Sequence, residues 1–462
     1  MRYMSTRGGV RSLTFRQAVM MGLADDGGLL IPEEIPRLSA GEIEALGMLA
    51  YPELAFQIVN RFSGDIPSAD LKDLVDRSYA SFTHPEVTPL VHKDGVYILE
   101  LFHGPTLAFK DVALQLLGNI FEYLLRESGE KMNIVGATSG DTGSAAIYGV
   151  RGKRNINIFI LHPHRRVSPI QELQMTTVTD PNVFNLAIRG TFDDGQRIVK
   201  EIFADLDFKA THALGAVNSI NWARVLAQVV YYFYAWGRVR RATGCTDCYV
   251  SVPTGNFGDI FAGYVAKRMG LPIRRLILAT NANSILARFV RDGDYSIGQV
   301  VETWSPSMDI QIASNFERYL FYLYGCDPVR VCAAMERFRT DGRLAFDAEE
   351  RSRIAEDFMA QMVDNDQTLA TIRDFHDACG YVLDPHTAVG VRAAKELAGG
   401  EAPVICLATA HPAKFGEAVE KALGCPPEIP TSLLGIEQRE RRCDVIDADT
   451  ATVKAYVEKH AL

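Results

Sequence analysis

Tyr97 to Asp111 reads YILELFHGPTLAFKD, and the fold turns on this passage. The apolar run from Tyr97 to Phe102 predicts a buried strand, His-Gly-Pro-Thr a turn, and a helical pattern starts near Asp111. Lys110 therefore sits among Leu107, Ala108 and Phe109. Apolar surroundings destabilise an ammonium, lower its pKa and make the amine nucleophilic, as a Schiff-base lysine requires. A surface lysine whose stem crosses a hydrophobic edge fits the same local pattern. Only the rest of the chain separates the two.

Working outward, strands and helices alternate. Strands are expected at Met132 to Ala137, Ile156 to Leu161, Val183 to Ile188, Cys248 to Pro253, Arg275 to Thr280 and Val404 to Thr409. Helices are expected at Thr142 to Tyr148, Ser168 to Val178, Phe192 to Asp205, Trp222 to Arg240 and Asp259 to Met269. Such alternation implies an α/β fold with parallel sheets, whose ligands bind at the carboxyl ends of strands. Upstream, Thr14 to Leu23, Leu49 to Phe62 and Ser68 to Phe82 have helical periodicity, with Ser68 as an N-cap. The expected organisation is a mostly helical N-terminal domain (1–94), a catalytic region of two α/β lobes (95–425) and a C-terminal tail (426–462). Within the catalytic region, about 130–240 forms a smaller lobe, and 95–129 with 241–425 a larger one.

Composition excludes several classes. The chain has 462 residues, 47% of them hydrophobic, and a net charge of -9, which argues against a nucleic-acid-binding surface. The apolar stretch Val225 to Trp236 is too short to span a bilayer, and the N-terminus lacks the apolar core of a signal peptide. A cytoplasmic protein, with neither nucleic acid nor membrane as partner, is expected. Of eight cysteines only Cys245 and Cys248 are spaced C-x-x-C, without the second pair or nearby histidine of a zinc site, so no metal is expected.

Three strand–loop–helix junctions carry candidate chemistry. Ala137-Thr-Ser-Gly-Asp-Thr-Gly-Ser-Ala145 places Ser139, Gly140, Thr142 and Ser144 at a helix start, where hydroxyls and backbone N–H groups attract a carboxylate or phosphate. Ordinary capping by Asp141 or Thr142 is the plainer reading. At Val252-Pro-Thr-Gly-Asn-Phe-Gly-Asp259, Gly255 and Gly258 allow close backbone approach to a phosphate. The spacing matches neither a nucleotide P-loop nor G-x-G-x-x-G, which leaves a single-phosphate cup or a packing turn. The third junction, Cys406 to Phe415, sets Thr409 at a strand end with His411 and Lys414 beyond it. Separately, Asn221 and Arg224 share a helical face, where the guanidinium can fork onto an anion or lie exposed. In the helix start from Leu383 to Val389, His386 reads as structural.

Taken in order, HGPTLAFKD, SGDTGSAA, NSINWAR, PTGNFGD, DPHTAVG and ATAHPAKF resemble the fold-type II pyridoxal-phosphate enzymes. Within these they are similar to the longer, bacterial and fungal branch of the threonine synthase family, as are YMSTRGG from Tyr3 and LADDGGLLIP from Leu23. The resemblance runs from Tyr3 to Gly424 and implies a two-lobed, tryptophan-synthase-β-like fold holding pyridoxal 5'-phosphate. By that resemblance Lys110 would tether the cofactor and shuttle protons. Gly255, Asn256, Phe257 and Gly258 would cradle its phosphate, and Thr409 would meet the pyridine nitrogen. Asp141 would stand near the cofactor or cap its helix, and the Ser139–Gly140–Thr142 loop would grip the substrate carboxylate. The implied substrate is O-phospho-L-homoserine, converted with water to L-threonine and phosphate. Its phosphate falls to Arg224, Lys414 and Asn221, with Arg7 a weaker candidate. Alternatives are a phospho-lyase giving 2-oxobutyrate on the same scaffold and a non-catalytic small-anion-binding protein. A monomer or weak homo-oligomer is expected.

Overall fold

The computed structural model describes residues 1–462 and divides them into two compact units. The first comprises 1–75, 84–103 and 219–428; the second comprises 76–83, 104–218 and 429–462.

A six-stranded sheet forms the centre of the first unit, in the order Phe358–Met362, Ile273–Thr280, Cys248–Pro253, Val404–Ala408, Val96–Glu100, Leu90–Lys93. All neighbours are parallel except the final hairpin pair. Helices Asn365–Cys379 and Pro385–Leu397 bury Ile372, Phe375, Val389 and Val391 against Ile98, Ile277 and Cys406 of the sheet. Val404–Ala408 comes last in sequence among the strands of this sheet yet inserts between Cys248–Pro253 and Val96–Glu100. That reversal of strand order is where open α/β sheets leave a crevice.

N-terminal residues belong to this unit. Helix Phe15–Met21 starts from a Thr14/Gln17 capping box. A helix not read from the sequence, Ala40–Gly47, starts from a Ser39/Glu42 box. Tyr3–Ser5 pairs antiparallel with Leu30–Pro32, strands too short to show a period. Ser68 is the first residue of helix Ser68–Tyr79 and not its N-cap.

The second unit carries a five-stranded, all-parallel sheet in the order Asp444–Asp447, Val183–Arg189, Ile156–Pro163, Met132–Ala137, Leu214–Gly215. Its core includes Val135, Phe159, Leu186, Ile198 and Ile202, with Val453 and Val457 from helix Thr450–His460. Residues expected to form a tail thus supply an edge strand and a core helix. Helix Lys110–Ser128 packs on Asp141–Val150 in this unit, whereas Trp222–Thr243 packs on Ala40–Gly47, Tyr51–Asn60 and Gly258–Arg268 in the first. The units therefore divide at 103/104 and 218/219, points set by which neighbour each long helix buries its side chains against and invisible to periodicity.

Candidate active site

In the first unit, the loops after three adjacent strands leave the same sheet edge. Cys406 is in register with Ser251, and Ala408 with Glu100, so 254–258, 409–415 and 101–103 emerge side by side. Leu101 N donates to Ala408 O at 3.0 Å. The 254–258 loop is shaped for close approach. Phe257 is left-handed, with φ 63°, and helix Gly258–Arg268 begins with no side-chain cap. Its first-turn N–H groups and the positive end of the helix dipole suit an anion. A Cβ on Gly255 would stand 2.9 Å from Ser307 O. Asn256 O accepts from Asn315 N at 3.1 Å and from Asn315 Nδ2 at 3.0 Å, which pins the loop. Asp259, one residue on, faces elsewhere: its Oδ1 accepts from Tyr231 at 2.5 Å and from Tyr232 at 2.9 Å. Burial raises this carboxyl to about 6, against the lowering effect of the two hydroxyls.

Thr409 is buried just past the end of Val404–Ala408, and its N–H donates to Thr387 Oγ1 at 3.3 Å. Thr387 in turn donates to Asp384, which caps helix Pro385–Leu397. His386 pairs with Asp384 at 2.9 Å and accepts from Ser307 N at 3.3 Å, a structural role. Burial, then the nearby His103, push His411 down to about 4, so its ring is neutral, and its Nδ1 accepts from Ala413 N. Lys414 is buried in the short helix Pro412–Phe415.

Arg224 is a buried cation with unmet donors. It lies in the first turn of helix Trp222–Thr243, only 4% exposed, with Nε and Nη1 making no hydrogen bond. Burial alone lowers it to about 10. An unpaired buried guanidinium costs several kcal/mol, on the order of the desolvation penalty of one ion, unless an anion meets it. Asn221, expected beside it as a ligand, is otherwise engaged. Its Oδ1 accepts from Ala223 N and its Nδ2 donates to Val19 O, so it caps the helix and ties down the N-terminal segment. Arg7 is also committed, forking onto Glu317 at 3.1 and 2.8 Å.

The second unit holds the lysine. Thr106 N and Oγ1 donate to the two oxygens of Asp111, and Gln174 Nε2 donates to Thr106 O, so the turn before Lys110 is braced from both sides. Lys110 is the first residue of helix Lys110–Ser128 and 9% exposed. Its Nζ stands 5.1 Å from the Phe109 ring centroid and 3.6 Å from Asp141 Oδ2. Asp141 does not cap its helix. One oxygen faces Lys110, and the other accepts from Gln171 Nε2 at 2.7 Å. Capping falls to Thr138, whose Oγ1 accepts from Gly140 N at 3.0 Å and Gly143 N at 2.9 Å. Gly140 has φ 146°, and a Cβ there would run into the Gln171 amide. Ser139 is exposed and Thr142 half-buried, while Ser144 donates to the carbonyls of Gly140 and Asp141 and so faces its own helix.

The sequence reading missed Thr138, Gln171 and Asn315. Thr138 precedes the singled-out hydroxyls by one residue, and capping geometry could have found it. Gln171 and Asn315 act across sequence gaps that no local pattern spans.

By residue chemistry each unit carries donors of the kind pyridoxal phosphate takes: a buried lysine in the second, and in the first an uncapped helix N-terminus behind a loop too tight for a side chain at Gly255, with a buried hydroxyl at a strand end.

Three family models match the chain: "Threonine synthase N terminus" over residues 2–79, "Pyridoxal-phosphate dependent enzyme" over 82–345 and "Threonine synthase, C-terminal" over 387–457. A threonine synthase of Pseudomonas aeruginosa is 48% identical, covering 100% of this chain and 98% of its own. One from Schizosaccharomyces pombe is 47% identical, covering 96% and 94%. The crystal structure of a PLP-bound threonine synthase from Brucella melitensis superposes with a TM-score of 0.97 at 48% identity, covering 100% of this chain and 99% of that one.

Proposed function

The chain belongs to the threonine synthase family, and from that premise we propose that it converts O-phospho-L-homoserine and water to L-threonine and phosphate. Pyridoxal phosphate, when bound, supplies the electron sink for carbanions next to the amino group. The remaining tasks fall to the chain. Lys110 holds the cofactor and moves the α-proton. Gly255, Asn256, Phe257 and Gly258 receive the cofactor phosphate, Thr409 meets the ring nitrogen, and the Ser139–Gly140–Thr142 turn receives the substrate carboxylate. The placement of Asp141 beside the Lys110 ammonium supports a role in holding that proton.

In the overall change, the α-proton and one β-proton leave and the γ C–O bond breaks with loss of phosphate. Water then gives its oxygen to the β-carbon, and protons return to the α- and γ-carbons. This demands a second anion site beside the cofactor's own. Arg224 is the observation that carries the reading, because two unpartnered donors on a buried cation have no purpose in a site for an uncharged leaving group. Lys414 joins it as a second cation, and Asn221 acts indirectly as the cap of the Arg224 helix. The proposal further takes the protein as cytoplasmic, and as a monomer or weak homo-oligomer, which sedimentation would test.

The deciding experiment incubates purified protein and pyridoxal phosphate with O-phosphohomoserine and identifies the products. Threonine and phosphate in equal amounts support the reading, while 2-oxobutyrate would convert it to a phospho-lyase.

A further inference from the structure

Arg318 is fully buried, in helix Phe316–Leu323, and its guanidinium has no carboxylate partner. Its four hydrogen bonds all end on neutral oxygens: Nε and Nη2 donate to Leu30 O at 3.2 and 2.9 Å, Nη2 also to Ile220 O at 2.5 Å, and Nη1 to Asn315 Oδ1 at 2.5 Å. The adjacent carboxylate, Glu317, is taken by Thr6 and Arg7. Two of the three acceptors adjoin segments assigned to the reaction, and the third anchors the arginine to the N-terminal strand pair. Asn315 holds Asn256 O through both its N–H and its amide, and its Nδ2 is 3.2 Å from where a Cβ of Gly258 would stand. Ile220 precedes Asn221, the cap of the helix that carries Arg224. Leu30 lies in the N-terminal strand pair. A helix-borne cation thus frames both the phosphate loop and the approach to Arg224. The one charged group facing it is the Glu317 carboxylate; the Tyr322 phenol also faces it but is kept neutral by burial, and the Trp222 ring lies 5.9 Å away.

We propose that Arg318 is a positioning residue. It locks the 255–258 loop and the 220–224 segment in one arrangement, and within that frame it carries a buried positive charge for the phosphate dianion of the cofactor. The inference rests on the reading of 255–258 as the cofactor-phosphate loop. Neutral carbonyl partners set the direction of the guanidinium without cancelling its charge, whereas a carboxylate would remove that charge from the site.

The test uses the full chain with pyridoxal phosphate and compares wild type with Arg318→Met, Arg318→Lys and Asn315→Ala. The readouts are cofactor dissociation constant, thermal melt, and the phosphorus NMR resonance of the bound cofactor phosphate. Arg318→Met is expected to bind cofactor at least ~10-fold more weakly, the effect of losing charge-assisted hydrogen bonds, and to move the resonance toward the monoanion. Asn315→Ala keeps the charge and breaks the frame, so it weakens binding and leaves the resonance at its wild-type position; Arg318→Lys loses the fork of hydrogen bonds and also weakens binding. A purely structural arginine would not move the resonance. Folded Arg318→Met with wild-type affinity and an unmoved resonance overturns the inference. If that variant does not fold, wild-type affinity in both of the others overturns it. Wild-type protein that takes up no cofactor overturns the functional reading, and this inference with it.

Discussion

Two strand-to-helix junctions, one in each unit, start from similar small-residue sequences and end differently. After Met132–Ala137 the chain caps its own helix: Thr138 Oγ1 takes the N–H groups of Gly140 and Gly143, and Asp141 is turned to Lys110. After Cys248–Pro253 no side chain caps the helix, Phe257 is held left-handed, and the acidic residue of the first turn is drawn off by two tyrosines. A bulky residue at positive φ is a strained arrangement that the surroundings must impose. The difference teaches that the first junction is built to orient side chains, and the second to leave backbone donors for a ligand.

The largest effect tests the first junction. Lys110→Ala should lower turnover by ~10³-fold or more, remove the absorbance of lysine-bound cofactor and leave the fold intact. Turnover within tenfold of wild type would break the comparison at its centre. Next comes the carboxylate drawn away from the second junction. Burial sets Asp259 at about 6 in the fold against 3.8 in the open chain. The native state therefore binds more protons between these values, and stability falls as pH rises through them, by up to about 3 kcal/mol. Asp259→Asn should erase that slope, so its stability relative to wild type grows from pH 4 to pH 7 in denaturant titrations. Parallel curves would show that the tyrosines hold the carboxylate at its ordinary value.

Arg224→Ala should raise KM for phosphohomoserine by ~10–100-fold with cofactor absorbance unchanged. Inorganic phosphate should stabilise wild type and not the variant, since only the former has an unpaired cation to fill. Gly255→Ala pushes a methyl against Ser307 O and should weaken cofactor binding by roughly tenfold, measured by fluorescence titration. Thr138→Val removes an acceptor for two N–H groups and should destabilise the protein by ~1 kcal/mol in a melt, with little effect on cofactor affinity. A matching loss of affinity would mean that the two junctions are less distinct than their caps suggest.

Much of this was legible in the chain. Period and punctuation located the strands that lead into Thr138, Thr254 and Thr409, because a buried parallel strand must be a short apolar run ended by turn residues. Lys110 and Arg224 stood out by residue type in an unusual setting. What escaped was whatever depends on a partner far along the chain. Asn221 looked like a ligand until Val19 and Ala223 were seen to occupy it, and Asp141 looked like a cap until Thr138 was found in that role. The C-terminal segment lies beyond Gly424, where the resemblance ends, and reads as a tail, yet Val453 and Val457 complete a core.

By itself the sequence determined the fold class, the lysine, and the loops at the strand ends, since each depends on residues within a few positions of one another. Only the tertiary structure decided which polar groups were already spoken for and which were left for a ligand. Arg224, Arg318 and Arg7 are chemically identical, and distant partners separate them: none at Nε and Nη1 of the first, carbonyls for the second, a carboxylate for the third. A guanidinium acts on a ligand with whatever charge and hydrogen-bonding capacity its neighbours leave uncancelled, and those neighbours are set by packing.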